Sequence, residues 1–520
     1  MYTSILFCKE PFSLEERNKD EIYFGSEMLE DLNLNQLIYS VSAGGKREHI
    51  LKMLQTPLKD SEEVYFRQSI FRDLEDEALR DEVFTLVKAL EYVDEKLLSL
   101  ERLVYEEQRE VFFLHIVNEY CSAINHFWSV LKDTSINSSG FKMVFECFEE
   151  YVSSDYYRKL NEENQQLISQ YSEICYSITF QEDAIVIADG AKTSDFNSEL
   201  LALLQQFLPE GKRKGYCRKV SGGINMNLIE YRIMQCVRKM NAQAFRVIQA
   251  FYHYYSDFRE VFVRCFCEEV QFYASYLKYI APLRAQQYPF TYTHFADNIE
   301  QTQIEAGYDL VLGIKSLGRN TEMVWNEFCC LKNERVFVVT GPNQGGKTTF
   351  SRMLGQIYYL SILGVPIPAQ KASIVFPKGI FTHFEHEEVA YHDKGKLQDD
   401  LVRMRYILDN ATDGCLILIN EMLSSTSYKD AIQIGEKIIE KLQMSNNISI
   451  YVTFVDELSR INKEVVSMVS EVQSLEHGKR TYKIRRQNAD GLAYAKALAD
   501  KYNLSYEKIK SRLYQNMQGG

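Results

Sequence analysis

The sequence has no apolar run that approaches the roughly 18 residues needed for a membrane-spanning helix. Its N-terminal segment carries Glu10 and Glu15, where a secretory signal would be basic or apolar. Internal repeats and low-complexity segments are also missing. These absences argue against a secreted or membrane protein, and we expect a cytoplasmic location.

Cysteine pairs with the spacing of metal or disulfide sites are missing as well. The 11 cysteines include no C-x-x-C pair. Cys265 and Cys267, like the adjacent Cys329 and Cys330, are too close together for a zinc knuckle or a disulfide. We therefore expect reduced thiols.

An excess of positive charge is also absent, because the net charge is −13. This argues against a surface that is basic overall, although a local basic patch on an acidic protein can still bind phosphates. The chain has 520 residues, of which 46% are hydrophobic. It is too long for one ordinary core, and two or three domains are expected.

Helical periodicity dominates residues 31–290, which follow a lead segment at 1–30. Two apolar stripes recur at steps of three and four residues, as on one face of a helix. They are Leu79, Val83, Leu86, Leu90, Val93 and Leu97, and Phe258, Phe262, Phe266, Val270, Tyr273, Leu277 and Ile280. We expect Pro282 to stop the second, lever-like helix. Its aromatic residues are interpreted as core packing.

A strand-containing insertion is predicted within 176–225. Tyr176 to Asp189 is rich in β-branched residues and ends at Gly190. A cluster of five cations follows, comprising Lys212, Arg213, Lys214, Arg218 and Lys219. The cluster could follow a nucleic-acid backbone, or it could be a solvated loop, and the sequence leaves both interpretations open.

Residues 291–520 change to short β-branched runs that alternate with helices, which is typical of an α/β domain. The predicted elements are strands at 336–340, 415–419 and 448–454, a helix at 350–363, a hairpin of 465–473 with 481–486 that turns at His477 and Gly478, and a closing helix from Gly491.

A P-loop pattern directly follows the first of these strands. It reads Gly341, Pro342, Asn343, Gln344, Gly345, Gly346, Lys347, Thr348 and Thr349. Glycines let backbone N–H groups approach phosphates, and the following helix adds its positive N-terminal end. The pattern predicts that Lys347 contacts the outer phosphates of ATP and that the Thr348 hydroxyl binds Mg²⁺.

An acidic residue at the end of a neighbouring buried strand is expected in such proteins, and the apolar run 415–419 is followed by Asn420 and Glu421. Asn420 stands where an aspartate is expected, so it could contact Mg²⁺-bound water but adds no negative charge. Glu421 is placed to activate the attacking water. We therefore predict ATP hydrolysis with Lys347 and Glu421 as the catalytic residues.

These motifs resemble the MutS family of DNA mismatch-repair ATPases, over about 321–513. The matching segments are Thr340 to Thr349, Val324 to Asn326, Gly364 to Ala369, and Asn420 and Glu421 through Thr426 and Ser427. The resemblance implies an α/β P-loop ATPase domain of the MutS type at 291–520 and an all-α core and lever domain at 31–290. The 176–225 insertion would correspond to the family's clamp.

The resemblance implies a dimer in which ATP binding and slow hydrolysis move the levers to clamp or release DNA. Three departures point to a divergent subgroup. The chain enters its helical region without the family's N-terminal mismatch-recognition domain, Phe454 replaces a histidine, and Gly395-Lys396-Leu397 replaces a serine-bearing signature. We therefore do not expect a mismatch sensor.

Two smaller hypotheses concern the same domain. Lys396 could reach the γ-phosphate of a partner subunit, as an arginine finger does, or it could be a solvated lysine. Several potential metal ligands also crowd one segment, namely His383, Glu385, His386, Glu387, His392 and Asp393. They lack zincin spacing, and we do not expect a transition-metal site there.

Two alternatives to the DNA-binding ATPase stay open. An ATP-switched scaffold that remodels a protein partner without touching DNA agrees with the acidic net charge. A P-loop kinase or small-molecule transferase ranks last, because the motifs include no separate acceptor pocket.

Overall fold

The computed structural model describes residues 4–10, 26–43, 47–182, 184–190, 226–318, 323–385, 396–472, 480–489, 506 and 508–510. Its helices are α1 (Ser26–Asp31), α2 (Leu34–Ser42), α3 (Arg47–Leu54), α4 (Ser61–Asp73), α5 (Glu77–Leu100), α6 (Glu106–Leu131), α7 (Ser139–Ser153), α8 (Asp155–Ser172), α9 (Leu228–Met240), α10 (Ala242–Tyr254), α11 (Val261–Ala285), α12 (Leu310–Ser316), α13 (Lys347–Ile362), α14 (Lys396–Asn410) and α15 (Tyr428–Gln443). Short 3-10 helices lie at Ile299–Gln301 and Asp456–Arg460.

The strands form three sheets within these residues. They are β1 (Tyr176–Gln181), β2 (Ala184–Asp189), β3 (His294–Phe295), β4 (Gln303–Gly307), β5 (Asn326–Cys329), β6 (Val336–Thr340), β7 (Lys371–Ile374), β8 (Ile380–Phe384), β9 (Leu416–Asn420), β10 (Ile448–Val452), β11 (Val465–Val472) and β12 (Arg480–Arg486). The chain is therefore a multidomain protein with many helices and mixed sheets.

The chain divides into two compact units. The helical unit comprises Leu74–Asn137 and Phe141–Cys267, and the α/β unit comprises Thr3–Asp73, Ser138–Gly140 and Glu268–Gly520. This division differs from the predicted boundary near residue 290, because the first 73 residues pack with the C-terminal half. Helical periodicity shows which face of a helix is buried but not which element covers it.

The helical unit packs along the first predicted apolar stripe and the beginning of the second, up to Phe266. In α5 the residues from Leu79 to Val93 in the first stripe are buried, and Leu97 is half-buried. Phe258 contacts Phe113 and Tyr120 edge to face, with ring centroids 5.5 and 5.1 Å apart. Phe262 and Phe266 of α11 likewise contact Phe148, with ring centroids 5.0 and 6.0 Å apart, so aromatic residues before and within α11 are confirmed as core packing. The two-stranded antiparallel sheet of β1 and β2 confirms strands in the predicted insertion.

Pro282 does not stop α11, contrary to the prediction. The helix continues to Ala285 with the proline inside it. A proline removes one backbone donor and clashes with the carbonyl four residues earlier, and both effects are local. Close to a helix end they cost one hydrogen bond, and the last turn can still form.

The main sheet of the α/β unit has the strand order β12-β11-β6-β10-β9-β8. β11, β6, β10, β9 and β8 run parallel, and β12 pairs antiparallel with β11 as the predicted hairpin requires. Every residue of the four strands β6, β8, β9 and β10 is buried, as expected for parallel strands covered on both faces. Their carboxyl ends therefore meet at one edge of the sheet.

A second sheet of the same unit has the order β3-β7-β4-β5. β4 pairs antiparallel with both β5 and β7, and β3 pairs parallel with β7. The strands predicted at 415–419 and 448–454 are confirmed with shifts of one or two residues at their ends. The turn at His477 and Gly478 and the helix predicted to begin at Gly491 lie outside the described residues.

Candidate functional site

A glycine-rich loop, Gly341 to Gly346, connects β6 to α13. Gly341 and Gly346 have φ angles of 121° and 94°, which favour glycine. Gly345 needs to be glycine for a different reason, since a Cβ atom there would lie 2.4 Å from Ser470 Oγ. A Cβ at Gly341 would lie 2.9 Å from Ser470 Cβ. The glycines thus allow the loop to lie directly against β11.

Ser470 anchors this loop to the neighbouring strand. Its buried Oγ donates a hydrogen bond to the Gly345 carbonyl, at 2.6 Å. β11 pairs with β6 so that Val469 lies opposite Thr340, and this register brings Ser470 beneath the loop. The sequence analysis missed Ser470, because no motif signals it and strand order is a tertiary property.

Lys347 begins α13 and is only 3% exposed. Its Nζ donates hydrogen bonds to the carbonyls of Gly341 and Pro342, at 3.0 and 3.2 Å. The same Nζ lies 3.7 Å from Glu421 Oε1. Burial lowers the pKa of Lys347, and the nearby carboxylates of Glu421 and Asp456 oppose that shift. The loop, the lysine and the carboxylate predicted from sequence are therefore adjacent.

Glu421 directly follows β9 and adopts a φ of 57°. Its backbone N–H donates to the Val452 carbonyl at the end of β10, at 2.9 Å. Its side chain is partly exposed and lies across the cleft from the glycine-rich loop. A partly exposed carboxylate beside a buried lysine can accept a proton from water.

Asn420, the last residue of β9, is buried. Within the part of the chain that the structure describes, nothing donates a hydrogen bond to its Oδ1. Thr340 Oγ1, at the carboxyl end of β6, is likewise buried without a hydrogen bond among the described residues. Buried polar atoms are nearly always satisfied, so these two atoms indicate room for a bound polar group or water.

Lys396, the first residue of α14, pairs with Glu385 of the same chain. Glu385 follows β8, and its Oε1 also accepts a hydrogen bond from Ser424 Oγ, at 2.6 Å. Burial raises the pKa of Glu385, but the Lys396 and Ser424 hydrogen bonds outweigh that effect and lower the pKa overall. Contact of Lys396 with a partner subunit stays a prediction.

Phe454 lies beyond the end of β10, with its ring exposed. Its ring centroid is 6.5 Å from that of Tyr428, at the start of α15. The Tyr428 hydroxyl donates to Glu457, and this hydrogen bond raises the pKa of Tyr428 to about 12. An aromatic edge thus lies where the resemblance would place a histidine.

An exposed aromatic residue, Tyr482, lies near the other side of the loop. A Cβ at Gly346 would lie 3.4 Å from Cβ of Tyr482, which is 47% exposed and has a φ of 58°. Asn326 Nδ2 donates a hydrogen bond to the Tyr482 carbonyl, at 3.2 Å. Trp325, which precedes Asn326 in the sequence, is also exposed. Sequence analysis did not select either aromatic residue, because aromatic side chains in a strand and before a strand are usually packed.

The cations predicted to contact DNA, Lys212, Arg213, Lys214, Arg218 and Lys219, lie outside the described residues. His386, Glu387, His392 and Asp393 also lie outside them. Among the residues that are described, no group of three or more His, Cys, Asp or Glu side chains could hold a metal ion. No described helix combines the length and the apolarity that crossing a membrane requires.

Comparison with known proteins identifies the region that carries this site. The family model described as MutS domain V matches residues 337–501. The DNA mismatch repair protein MutS of Petrotoga mobilis is 32% identical over 150 residues, which are 28% of this chain and 18% of that protein. Endonuclease MutS2 of Thermus thermophilus is 25% identical over 226 residues, 41% of this chain and 30% of that protein.

A mammalian relative matches the chain to a similar extent. MutS protein homolog 4 of Mus musculus is 26% identical over 176 residues, covering 34% of this chain and 18% of that protein. The matched segments thus cover less than a third of each of these relatives. Residues 337–501 thus match MutS domain V, and the similarity to MutS proteins extends over only part of this chain.

Proposed function

We propose that this chain is an ATPase that binds the phosphates of ATP, with Mg²⁺, at residues Gly341–Thr349. The observation that supports this most directly is the buried Lys347 ammonium, 3.7 Å from the Glu421 carboxylate and hydrogen-bonded to loop carbonyls. A buried cation held by neutral carbonyls can exchange these partners for phosphate oxygens at little desolvation cost. The exposed loop backbone and the N-terminus of α13 add further donors.

The residues present fit a magnesium ion. Thr348 offers a hydroxyl beside Lys347, and Asn420 Oδ1, which accepts no hydrogen bond from any residue that the structure describes, can accept one from a metal-bound water. When bound, the ion would neutralise part of the charge on the phosphates. Because Asn420 contributes no negative charge, we expect weaker magnesium binding than an aspartate would give.

Glu421 is proposed as the group that orients the attacking water and accepts its proton. Its partial exposure keeps the carboxylate in contact with solvent, and Lys347 keeps it on the phosphate side of the cleft. Lys347 would stabilise negative charge on the outer phosphate oxygens as the bond to the leaving group breaks. The exposed rings of Tyr482 and Trp325 could provide an apolar surface for the base of the nucleotide.

A coupling of ATP hydrolysis to DNA is supported by the similarity to MutS proteins. In this proposal two subunits associate around ATP, and hydrolysis lets the helical units clamp or release DNA. The cations from Lys212 to Lys219 would contact the phosphate backbone. We do not assign mismatch sensing to the described residues.

The decisive experiment is Glu421→Gln in the full-length protein. The amide keeps the shape of the side chain but cannot accept a proton, so phosphate release should fall by about a hundredfold or more while ATP binding persists. Steady-state phosphate release and titration with a fluorescent ATP analogue measure the two quantities. Glu464→Gln, an exposed carboxylate at the start of β11, is the matched control.

Two results would contradict this proposal. Unchanged phosphate release in Glu421→Gln would exclude its catalytic role. Failure of the wild-type protein to bind any adenine nucleotide in calorimetry, even with excess Mg²⁺, would exclude the nucleotide site itself. Lys347→Ala should abolish binding in the same assay, because the buried cation is lost.

The second candidate is an ATP-switched scaffold that acts on a protein partner, and the net charge of −13 favours it. Filter binding to duplex, branched and single-stranded DNA at increasing salt separates the two candidates. Binding that weakens steeply with salt supports the DNA-clamp version, because bound counterions are released. No affinity for any of these DNAs at low salt, with ATPase activity retained, favours the scaffold.

A further inference from the structure

The turn from Glu421 to Ser424, here the Glu421 turn, has an unusual backbone. Glu421 and Leu423 have φ angles of 57° and 68° without being glycine. Such conformations are costly and persist where surrounding groups hold them. The groups that hold this turn therefore determine where the Glu421 carboxylate lies.

Glu385 holds the turn from the end of β8. Its Oε1 accepts a hydrogen bond from Ser424 Oγ, at 2.6 Å. Its backbone N–H donates to the Asn420 carbonyl, at 3.3 Å, directly before the turn. Since Phe384 pairs with Asn420 in the sheet, β8 brings this glutamate beside both ends of the turn.

Asp400 of α14 provides a second carboxylate. Burial raises the pKa of Asp400, and the nearby Leu423 backbone N–H, inside the turn, opposes that shift. Its Oδ1 also lies 3.4 Å from Nε2 of the buried His383, on β8. The turn that contains Glu421 and Leu423 thus lies beside two carboxylates, Glu385 after β8 and Asp400 on α14.

We propose that Glu385 is a positioning residue, which holds the Glu421 turn so that the Glu421 carboxylate faces the phosphate side of the cleft. This inference rests on the proposed role of Glu421 in hydrolysis. Glu385 acts through the turn and does not contact the reacting atoms. Removing its hydrogen bonds should lower the rate of hydrolysis more than the affinity for ATP.

Glu385 also links the turn to α14, because Lys396 and Ser424 donate to the same oxygen atom. Glu385→Gln separates the two contacts. The amide oxygen still accepts from Ser424, whereas the ion pair with Lys396 is lost. Retained activity in this variant would show that the hydrogen bond to Ser424, and not the charge, positions the turn.

The test compares Ser424→Ala, Glu385→Ala and Glu385→Gln by kcat and by the equilibrium affinity for ATP. We expect Ser424→Ala and Glu385→Ala to lower kcat by about tenfold with ATP affinity within about twofold, and Glu385→Gln to remain close to wild type. Ser425→Ala, on the same loop and exposed, is the matched control. Ser424→Ala removes a single hydroxyl of an exposed residue and should fold normally.

A double-variant comparison separates positioning from other roles. In the Glu421→Gln background, Glu385→Ala should cause no further loss of kcat, because the carboxylate that it positions is already gone. Additive losses, unchanged kcat in Ser424→Ala and Glu385→Ala, or an equal loss of ATP affinity would each overturn the inference. Wild-type kcat in Glu421→Gln alone would instead overturn the proposed function.

Discussion

Ser470 and Gly345 are in such close contact that a larger residue at position 345 would clash with the serine. A methyl group at Gly345 would meet the Ser470 hydroxyl at 2.4 Å, and that hydroxyl is already bonded to the Gly345 carbonyl. We expect Gly345→Ala to push the loop off β11 and to weaken ATP binding by at least about tenfold, equivalent to roughly 1.4 kcal/mol. Titration with a fluorescent nucleotide measures the change.

Ser470→Ala provides the control for this contact. Alone, it removes one hydrogen bond and should cost about 1 kcal/mol of stability. Combined with Gly345→Ala, it removes the nearest clashing atom and should recover part of the lost affinity. If the double variant binds ATP as weakly as the sum of the single changes predicts, steric contact with Ser470 is not the reason for glycine here.

Asn420 gives a second prediction at the scale of single residues. Asn420→Asp adds a negative charge at a buried position whose amide oxygen has no hydrogen-bond donor among the described residues. We expect the Mg²⁺ concentration for half-maximal hydrolysis to fall by about tenfold, because a carboxylate attracts the cation. An unchanged magnesium requirement would show that Asn420 does not face the ion.

At the scale of secondary structure, hydrogen bonds of Gln356 hold α13 against two neighbouring segments of the chain. Its buried amide donates to the Leu32 carbonyl and to Asp309 Oδ1, both at 2.9 Å, and accepts from the Leu310 N–H at 2.8 Å. Gln356→Leu would remove a hydrogen-bond partner from the Leu32 carbonyl, the Leu310 N–H and Asp309 Oδ1, the last of which keeps its bond from the Leu312 N–H. We expect the free energy of unfolding to fall by about 3 kcal/mol, measured by urea denaturation.

The same substitution should make stability depend more strongly on pH. Burial raises the pKa of Asp309, and the hydrogen bonds from Leu312 and Gln356 oppose that shift. Without Gln356 the pKa of Asp309 should rise further. Above this folded-state pKa the carboxylate is ionised and destabilises the variant. As the pH falls through the pKa, Asp309 becomes protonated and this destabilisation is lost. The gap in unfolding free energy between variant and wild type should therefore narrow at acidic pH. A gap independent of pH would exclude ionised Asp309 as the cause.

Much of the element order was predictable, because buried strands and helices leave apolar runs. The strands β6, β9 and β10, the hairpin of β11 with β12 and the stripe on α5 were found in this way. Contacts between elements were not predictable, because they depend on strand order and on residues distant in sequence. Ser470, Glu385 and Tyr482 belong to this second group, and each lies near the loop or the Glu421 turn through pairing of the sheet.

At the scale of the whole molecule, the α/β unit combines residues 3–73 with residues 268–520. Ser4 and Ile5 bond the buried Glu269 carboxylate at 2.7 Å each. Arg67, buried in the same unit, donates to the carbonyls of Leu6 and Leu363 at 2.9 and 2.8 Å. The early residues therefore complete the core around α13.

A fragment that contains only residues 268–520 should for this reason be unstable. Its loss of residues 1–73 would expose α13, remove the hydrogen bonds from Ser4 and Ile5 to Glu269, and remove the Leu32 carbonyl from Gln356. We expect it to aggregate on expression, and to become soluble when residues 1–73 are produced with it as a separate chain. A soluble, cooperatively melting 268–520 fragment would contradict this prediction.

The order of synthesis on the ribosome gives the split unit a further consequence. Buried residues such as Leu34, Ile70 and Phe71 emerge early, but the strands and α13 that share their unit are translated only after residue 268. During that interval, these apolar side chains would remain exposed, whereas the intervening helices can pack as they appear. Nascent chains stalled before residue 268 should consequently recruit holdase chaperones.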